Sequence, residues 1–199
     1  MVAHLDYFLG NGSTECTSHH ILFVPEDCFA TTAKMNYSNT TCGGYAGSDM
    51  CKTVLPTYYT ALNAEGSLNG HILTHSRYLS STMTSGTACG SGIGFSGAVT
   101  GCTWTDTNLC LMNEAMVYGS TTLSSSGWDV ADAQCQLALF RLNPDKKIAH
   151  LGYGSTSRSG WWLMAIASST YFCYCGSNGI ASSANASYSY GVRPYLLFA

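Results

Sequence analysis

The sequence predicts one domain of the α+β class, with few helices and many short antiparallel strands. Its apolar runs are short and end at proline or at small polar residues, as the strands of a meander do. The chain of 199 residues is 46% hydrophobic, which is enough for one substantial core. Neither an internal repeat nor a linker divides it, so we expect residues 1–199 to fold together.

One early strand and one helix stand out in the amino-terminal half. Residues 19–25 form an apolar run that ends at Pro25, which predicts a short strand. Ser48 can cap a helix that ends before Gly66, and Pro56 should bend or interrupt it. This helix is predicted because apolar and aromatic residues recur on one helical face: Met50, Val54, Leu55, Tyr58, Tyr59 and Leu62.

The remaining segments predict loops and short strands. The Ser-, Thr- and Gly-rich region 80–101 indicates a long loop, and an ordered segment begins at 107–114. The alternation of apolar residues in 136–142 indicates a strand. The last forty residues predict three further strands, at 160–164, 169–175 and 192–198.

Charge argues against nucleic acid as a partner. Only 10% of residues are charged, and the formal net charge is −3. Arginines are few and scattered, so no basic stripe exists to neutralise phosphates.

The start of the chain lacks a cationic region followed by an apolar run, and no stretch approaches membrane-spanning length. We therefore expect no membrane insertion.

Ten cysteines are compatible with disulfides in an oxidising compartment. However, a chain of this length does not need a dense disulfide scaffold, and a free cysteine packs as a small buried hydrophobe. Both states therefore stay open for most of the cysteines. Cys42 and Cys51, which flank a glycine-rich loop, are the first candidate pair.

Motifs for catalysis and for cofactor binding are weak. No serine has glycines two residues before and after it, so the nucleophile elbow of hydrolases is absent from the sequence. The glycine pattern at 92–97 matches a dinucleotide-binding fingerprint, but neither flank predicts the strand and helix that such a site needs. Cys173 and Cys175 share one face of a strand, yet no cation nearby would lower their pKa. We expect no enzyme activity and no cofactor.

Metal ligands are also poorly grouped. His71 and His75 stand four residues apart, and Cys16 lies near His19 and His20, so a zinc site would require convergence in space. The acidic residues do not form a calcium loop, although Asp129 and Asp132 could join a site that folding assembles. We expect no metal.

The segment 165–190 has the composition of an antibody-like contact surface. Tyrosines alternate there with Ser, Asn, Gly and Ala. Tyrosine provides a large amphipathic contact at low entropy cost, and the small polar residues provide adaptable hydrogen bonds. The alternative interpretation is the ordinary polar edge of a β meander.

Several motifs in the chain resemble the variable proteins of diversity-generating retroelements, in a branch found in phages and Firmicutes. The carboxyl-terminal motifs are GWWL at 160–163, SST at 168–170, Gly179, AS at 186–187 and GVRP at 191–194. The earlier ones are LFVPEDC at 22–28, MNYSNTT at 35–41, VLP at 54–56 and LMNE at 111–114. The likeness thus covers most of the chain.

This resemblance implies a C-type-lectin-like fold, which formylglycine-generating enzymes share, with a ligand-binding variable region at about 160–194. In that family, randomised template adenines change an asparagine codon AAC into codons for fifteen residue types, but never into codons for Lys, Glu, Gln, Met or Trp. All 26 residues of 165–190 avoid these five types. A stretch of this length would avoid them by chance about one time in twenty.

The resemblance assigns ligand contact to the positions between the motif residues. These are Ala165, Ala167, Tyr171, Tyr174, Ser177, Ile180, Ser182, Ser183, Ala184, Asn185, Tyr188 and Tyr190. The implied frame buries Trp161, Trp162, Leu163, Phe172 and Val192, while Arg193 pairs internally. Cys173 and Cys175 depart from the small or apolar residues expected at their positions.

The expected function is therefore recognition of a protein or glycan on a host or neighbouring cell. The expected location is a phage tail or fibre, or otherwise a cell surface or the extracellular space, with display in several copies, such as a trimer, adding strength to weak sites. Two alternatives stay open: a relative of formylglycine-generating oxidases that uses Cys173 and Cys175, and a static structural domain of a virion or surface.

Overall fold

A computed structural model confirms the predicted α+β class, because it consists of short helices and short antiparallel strands. The structure describes residues 1–66, 68–83, 99–124, 132–133 and 135–199. The strands, in chain order, are β1 (Val2–Leu5), β2 (Ile21–Phe23), β3 (Ala33–Lys34), β4 (His75–Met83), β5 (Val99–Thr107), β6 (Leu109–Cys110), β7 (Ala149–His150), β8 (Arg158–Ser159), β9 (Trp161–Ile166), β10 (Tyr171–Cys175), β11 (Ala181–Asn185), β12 (Ser189–Tyr190) and β13 (Tyr195–Phe198).

The first and last strands belong to one antiparallel sheet with the order β1-β2-β13-β6, in which β2 lies between them. A second sheet has the order β11-β10-β9, and the pairs β12-β3, β4-β5 and β7-β8 form small ribbons around it. The predicted strand at 19–25 is confirmed as β2, which stops before Pro25 because proline cannot donate to a ladder. The strand pairings join residues far apart in sequence, and they hold the carboxyl-terminal sheet against the rest of the domain.

The predicted helix at Ser48 is present and changes its geometry at the proline. A π-helical turn, Met50–Val54, leads into helix α1, Leu55–Ala64, with Pro56 in its first turn. Proline has no amide hydrogen and clashes with the preceding turn of an α-helix. The wider π-helical turn before Pro56 accommodates it. The Ser48 hydroxyl accepts a hydrogen bond from the Cys51 amide at 3.2 Å, which supports the predicted capping role.

One sequence-based prediction about secondary structure is wrong at both ends of its range, and another is wrong throughout its ordered part. The ends of the predicted loop 80–101 belong to the β4–β5 ribbon, in which buried Leu79 and Met83 point inward; residues 84–98, with the glycine pattern at 92–97, lie outside the described chain. The predicted strand at 136–142 contains helix α3, Ala138–Leu142, instead. Leu137 and Phe140 are buried and Leu142 is 71% exposed, which is helical spacing rather than alternation.

The other helices are short. Helix α2 covers Glu114–Tyr118, and a 3₁₀ turn covers Pro144–Lys147. The Asn113 side chain caps α2 by accepting a hydrogen bond from the Met116 amide at 2.8 Å. None of the helices in the described ranges is long and apolar enough to cross a membrane.

The predicted pairing of Cys42 with Cys51 is wrong. Cys42 is disulfide-bonded, whereas Cys51 carries a free thiol in the π-helical turn. Burial raises the pKa of Cys51 to about 12, so its thiol stays protonated at neutral pH. Cys51 therefore packs as an apolar residue between α1 and the sheet.

A buried ion pair lies at the centre of the domain. Arg77 on β4 is fully buried, and its Nε and Nη2 donate to the two carboxylate oxygens of Asp132 at 2.6 and 3.2 Å. The Asp132 carboxylate also accepts from the Tyr78 amide at 2.8 Å, and Arg77 donates to the Tyr195 hydroxyl. Folding thus brings Asp132 into a structural pair, while Asp129 lies outside the described residues.

Candidate ligand-contact surface

Two tryptophans of β9 anchor the carboxyl-terminal sheet. Trp161 and Trp162 are fully buried, and both indole N–H groups are satisfied inside the protein. Trp161 donates to the Lys147 carbonyl at 2.9 Å, and Trp162 donates to the Ala33 carbonyl at 2.8 Å. A buried ring whose polar end is hydrogen-bonded has little freedom to move, so β9 forms a fixed base for the strands that follow.

Arg193 also helps to hold β9 in place. The side chain is fully buried and donates to three backbone carbonyls, those of Pro25 at 3.0 Å, Lys146 at 2.8 Å and Glu26 at 2.8 Å. Its guanidinium also lies 5.1 Å from the Trp161 ring centre. Burial lowers the pKa of Arg193 to about 10, which still leaves it charged at neutral pH. The predicted internal pairing of Arg193 is thus made with carbonyls rather than with a carboxylate.

Glycine is required where the frame comes closest together. A Cβ atom on Gly191 would lie 2.5 Å from the Cys28 sulfur and 3.0 Å from the Gly160 carbonyl oxygen. A Cβ atom on Gly160 would lie 3.0 Å from the Tyr174 ring. The absence of a side chain thus lets Gly160 lie against β10 and lets Gly191 lie against Cys28 and Gly160.

Three aromatic rings meet where β9, β10 and β12 come together. Tyr174 on β10 stacks on Tyr190 of β12, with ring centres 4.3 Å apart, and Trp162 meets Tyr190 edge-on at 4.9 Å. Both tyrosines are partly exposed. Burial and the hydrogen bond with Tyr174 raise the pKa of Tyr190 to about 12, so the Tyr190 hydroxyl is neutral at physiological pH. The cluster presents aromatic surface with neutral hydroxyl groups.

Strand register decides which predicted contact residues lie beside each other. In the β10–β11 pair, Tyr171 is opposite Asn185, Tyr174 is opposite Ser182, and Ser183 is opposite Cys173. Ser177 and Ile180 belong to the turn between these strands, at the far end from Tyr171. The predicted positions therefore spread along the whole hairpin instead of meeting at one point.

Ten of the twelve predicted contact residues are accessible. Four are exposed, and these are Tyr171, Ser177, Ile180 and Tyr188; six are partly exposed, and these are Ala167, Tyr174, Ser182, Ser183, Asn185 and Tyr190. Ala165 and Ala184 are buried, at 0% and 7% exposure, so their assignment to ligand contact is corrected. Ala165 lies within fully buried β9, and Ala184 is opposite buried Phe172.

A segment from the amino-terminal half explains the burial at this end of the hairpin. The Met35 amide donates to the Ala186 carbonyl at 3.0 Å, and the Thr41 amide donates to the Ser169 carbonyl at 3.0 Å. Asn39 adds a side-chain hydrogen bond to Asn185, also at 3.0 Å. Residues 35–41 thus lie across the base of the β10–β11 hairpin.

This segment also adds residues that the sequence analysis did not assign to the surface. Next to β12, a cavity of about 310 Å³ is lined by Thr32, Ala33, Lys34, Tyr37, Asp49, Val54 and Ser189. Tyr37 is 84% exposed at its rim, and its amide donates to the Asp49 carboxylate at 2.8 Å. Because these residues are about 150 positions from β12 in the chain, only the MNYSNTT motif gave a signal for them.

Cys173 and Cys175 face the interior. Both are fully buried, and the Cys175 sulfur donates to the Lys147 carbonyl at 3.5 Å. Burial raises the pKa of Cys175, and it raises the pKa of neighbouring Cys28 to about 12. Reactive cysteines need the opposite shift, because the thiolate is the nucleophile. The environment favours a packing role for these thiols.

The residues considered as zinc ligands have other partners. His19 pairs with Asp6 at 2.8 Å, and His75 is hydrogen-bonded to the Tyr195 hydroxyl at 2.9 Å. Cys16 lies 3.8 Å from His20, a distance typical of a weak sulfur contact. Within the described ranges, no three His, Cys, Asp or Glu side chains converge in a group that could hold a metal ion.

Comparison with known proteins adds one finding. Residues 112–198 match the model of a family described as a domain of unknown function (DUF6273). No curated protein and no solved structure matches the chain. The matched segment begins just before α2 and contains the complete β9–β10–β11 sheet together with β12 and β13.

Proposed function

We propose that this protein is a hypervariable recognition domain with a C-type-lectin-like fold, diversified by a retroelement and displayed on a phage tail or fibre, or otherwise at a cell surface. It binds a protein or glycan on a host or neighbouring cell through a contact surface made of the accessible residues of β10, β11, β12 and the turns between them. The observation that carries the proposal is the contrast between this surface and its support.

The support is rigid and buried. Trp161, Trp162 and Arg193 are each fully buried, and their polar groups are hydrogen-bonded internally. Substitutions at such positions are costly, whereas substitutions at exposed positions usually change stability by less than about 0.5 kcal/mol. A frame of this kind tolerates variation in the residues that it presents.

The presented residues suit recognition. They combine the Tyr174–Tyr190 stack with exposed Tyr171 and Tyr188 and with small hydroxyl and amide side chains. Stacked aromatic rings with neutral hydroxyls offer both apolar contact and hydrogen bonding, which is the chemistry of antibody contact loops. No charged side chain is present in residues 159–192, so this part of the surface recognises shape and hydrogen-bonding pattern, and the nearby charges are those of Lys34 and Asp49 at the cavity beside β12.

The oxidase alternative has little support in the thiols. Cys173 and Cys175 are buried, and burial raises rather than lowers the pKa of Cys175. An interior thiol with a raised pKa is a poor nucleophile and a poor ligand at neutral pH. We therefore favour recognition over catalysis.

Sequencing the encoding locus in many sibling isolates tests the proposal. We expect a reverse-transcriptase gene nearby, with substitutions at adenine-derived codon positions concentrated in the accessible residues of 165–190. The codons of Trp161, Trp162 and Arg193 should stay constant. Substitutions spread evenly over the gene, without adenine bias, would contradict diversification and leave a static structural domain.

A further inference from the structure

Strand β11 presents an unprotected sheet edge within the proposed contact surface. In the sheet order β11-β10-β9, β11 is terminal, and no described strand pairs with its outer side. The opposite margin of the sheet is different, because β9 is bridged there by Gly191 and its Met164 amide donates to the Met112 carbonyl at 3.0 Å. Only the β11 side of the sheet is therefore open to another strand within the described chain.

The hydrogen-bond pattern fixes which backbone groups point outward. The Gly176 amide donates to the Ile180 carbonyl, and the Ala186 amide donates to the Thr170 carbonyl, both at 2.8 Å. With the observed register, β11 residues 182 and 184 must then exchange hydrogen bonds with β10. Residues 181, 183 and 185 direct their N–H and C=O groups away from β10.

Most of these outward groups have no partner among the described residues. The carbonyl of Asn185 accepts from the Tyr188 amide at 2.9 Å, and this bond closes the next turn. The outward groups that have no partner among the described residues are therefore the N–H and C=O of Ala181 and Ser183 and the N–H of Asn185. All three residues are partly exposed, so these groups are within reach of an incoming chain.

The usual protections of an edge strand are absent from β11. Its sequence, ASSAN, contains no charged residue and no proline, and its pairing with β10 has no bulge. By contrast, the β4–β5 ribbon has register shifts near Thr82 and carries Asp106 on β5. Natural proteins use such charges and irregularities to prevent strands from adding at an edge. The small side chains of β11 leave its backbone open.

We propose that the ligand of this surface is a polypeptide, and that an extended segment of about five residues adds to β11 as a further strand. This inference rests on the proposed recognition function and names its ligand class, protein rather than glycan. Main-chain hydrogen bonds to Ala181 and Ser183 supply affinity that does not depend on side chains. Exposed Tyr171, Ile180 and Tyr188 surround the edge and supply specificity.

This division suits a surface whose side chains vary. Backbone groups of β11 are unchanged when Ser182 or Ser183 is replaced, unless proline enters. A diversified protein thus keeps a constant binding element while its side chains change. A glycan lacks the regularly spaced N–H and C=O groups that match a strand edge, so it would gain less from this edge than an extended peptide.

The test uses Ser183→Pro, which deletes an outward N–H without removing any hydrogen bond to β10. Its matched control is Ser183→Ala, which keeps the N–H. The probe is a phage-displayed library of random dodecapeptides, selected on the immobilised full chain. We expect the selected peptides to bind the wild type and Ser183→Ala equally and Ser183→Pro at least about tenfold more weakly. Circular dichroism and thermal unfolding check that the proline variant is folded.

A second measurement covers the case in which Ser183→Pro does not fold. N-methylation of the selected peptides, one amide at a time, should weaken binding to the wild-type protein at every second position, because alternate amides face a neighbouring strand. Uniform tolerance of N-methylation would overturn strand addition.

Other results separate this inference from the proposed function. Peptides that lose binding with Tyr171→Ala or Ile180→Ala but not with Ser183→Pro would overturn strand addition and leave side-chain recognition intact. Failure to select any peptide would also overturn it, and sequence variation among sibling loci would still decide the recognition function. Dimerisation that Ser183→Pro abolishes would identify a second copy as the occupant and overturn the peptide assignment.

Discussion

The buried pair of Arg77 and Asp132 provides the sharpest test of the energetics of the fold. Their side chains are 0% and 2% exposed, and two hydrogen bonds join the guanidinium to the carboxylate. Asp132→Asn keeps the shape but removes the negative charge. It also places an amide N–H₂ group against one of the donors, because the carboxylate oxygens together accept from Arg77 Nε, Arg77 Nη2 and the Tyr78 amide.

The expected cost follows from what remains buried. Asp132→Asn leaves the Arg77 charge in the core without a compensating negative charge. Besides the Asn amide oxygen, its hydrogen-bond acceptors among the described residues are the Tyr195 hydroxyl and the Met164 sulfur. Breaking one side of a buried ion pair typically costs about 3–5 kcal/mol. For a domain of this size, that corresponds to a loss of about 6–20 °C in Tm.

The matched control is the surface pair of Glu26 and Lys146. Its oxygen–nitrogen distance is 2.7 Å, similar to that of the buried pair, but the side chains are 59% and 42% exposed. Glu26→Gln should therefore lower the free energy of unfolding far less than Asp132→Asn does. Urea unfolding followed by tryptophan fluorescence, without reductant, measures both variants. Equal losses of unfolding free energy would refute the argument from burial.

Three further predictions concern packing, pH and thiol chemistry. Ala165→Tyr should lower the free energy of unfolding by at least about 3 kcal/mol because it overpacks buried β9, whereas Ile180→Tyr should change it by less than about 0.5 kcal/mol; chemical denaturation distinguishes them. Burial and the charge of Arg77 lower the pKa of His75 to about 3, so the unfolded chain binds a proton that the folded chain does not. The free energy of unfolding should then fall by up to about 1.4 kcal/mol per pH unit as the pH drops from 6 to 4. His75→Gln should reduce this pH dependence, and a variant with the same pH dependence as the wild type would contradict the assignment. In native protein at pH 8, iodoacetamide should alkylate exposed Cys135 well before Cys28, because burial raises the pKa of Cys28 to about 12. Peptide mass spectrometry measures the order of alkylation, and equal rates at the two cysteines would contradict the prediction.

Local chemistry made part of the fold predictable. Pro25 ends a short strand, and Pro56 marks the point at which the π-helical turn gives way to α1, because both effects depend on a missing amide hydrogen. The anchoring tryptophans and Arg193 were also predictable, since the motifs that carry them resemble a known frame. Each of these signals lies in a short stretch of sequence, although the contacts that Trp162 and Arg193 make are long-range.

The features that could not be predicted from the sequence depend on contacts between distant parts of the chain. Ser80 and Thr82 look like loop residues, but pairing with β5 holds them in a strand. The disulfide partner of Cys42 depends on chain crossings, which spacing alone does not reveal. On the candidate surface, Ala184 was assigned to ligand contact because it lies between motif residues, whereas it is buried at the end of the hairpin that residues 35–41 cross. The same contact brings Tyr37 beside the surface.

The central claim is that the accessible residues of β10–β12 and their turns vary freely on a fixed frame. Two yeast-display libraries test it most directly, each randomised with NNC codons at five positions and scored by the fraction of clones that resist chymotrypsin. One varies Tyr171, Ser177, Ile180, Ser182 and Tyr188; the other varies Trp161, Trp162, Ala165, Phe172 and Ala184. We expect most clones of the first library, and few of the second, to stay folded. Equal survival of the two libraries would contradict the division into presented face and frame.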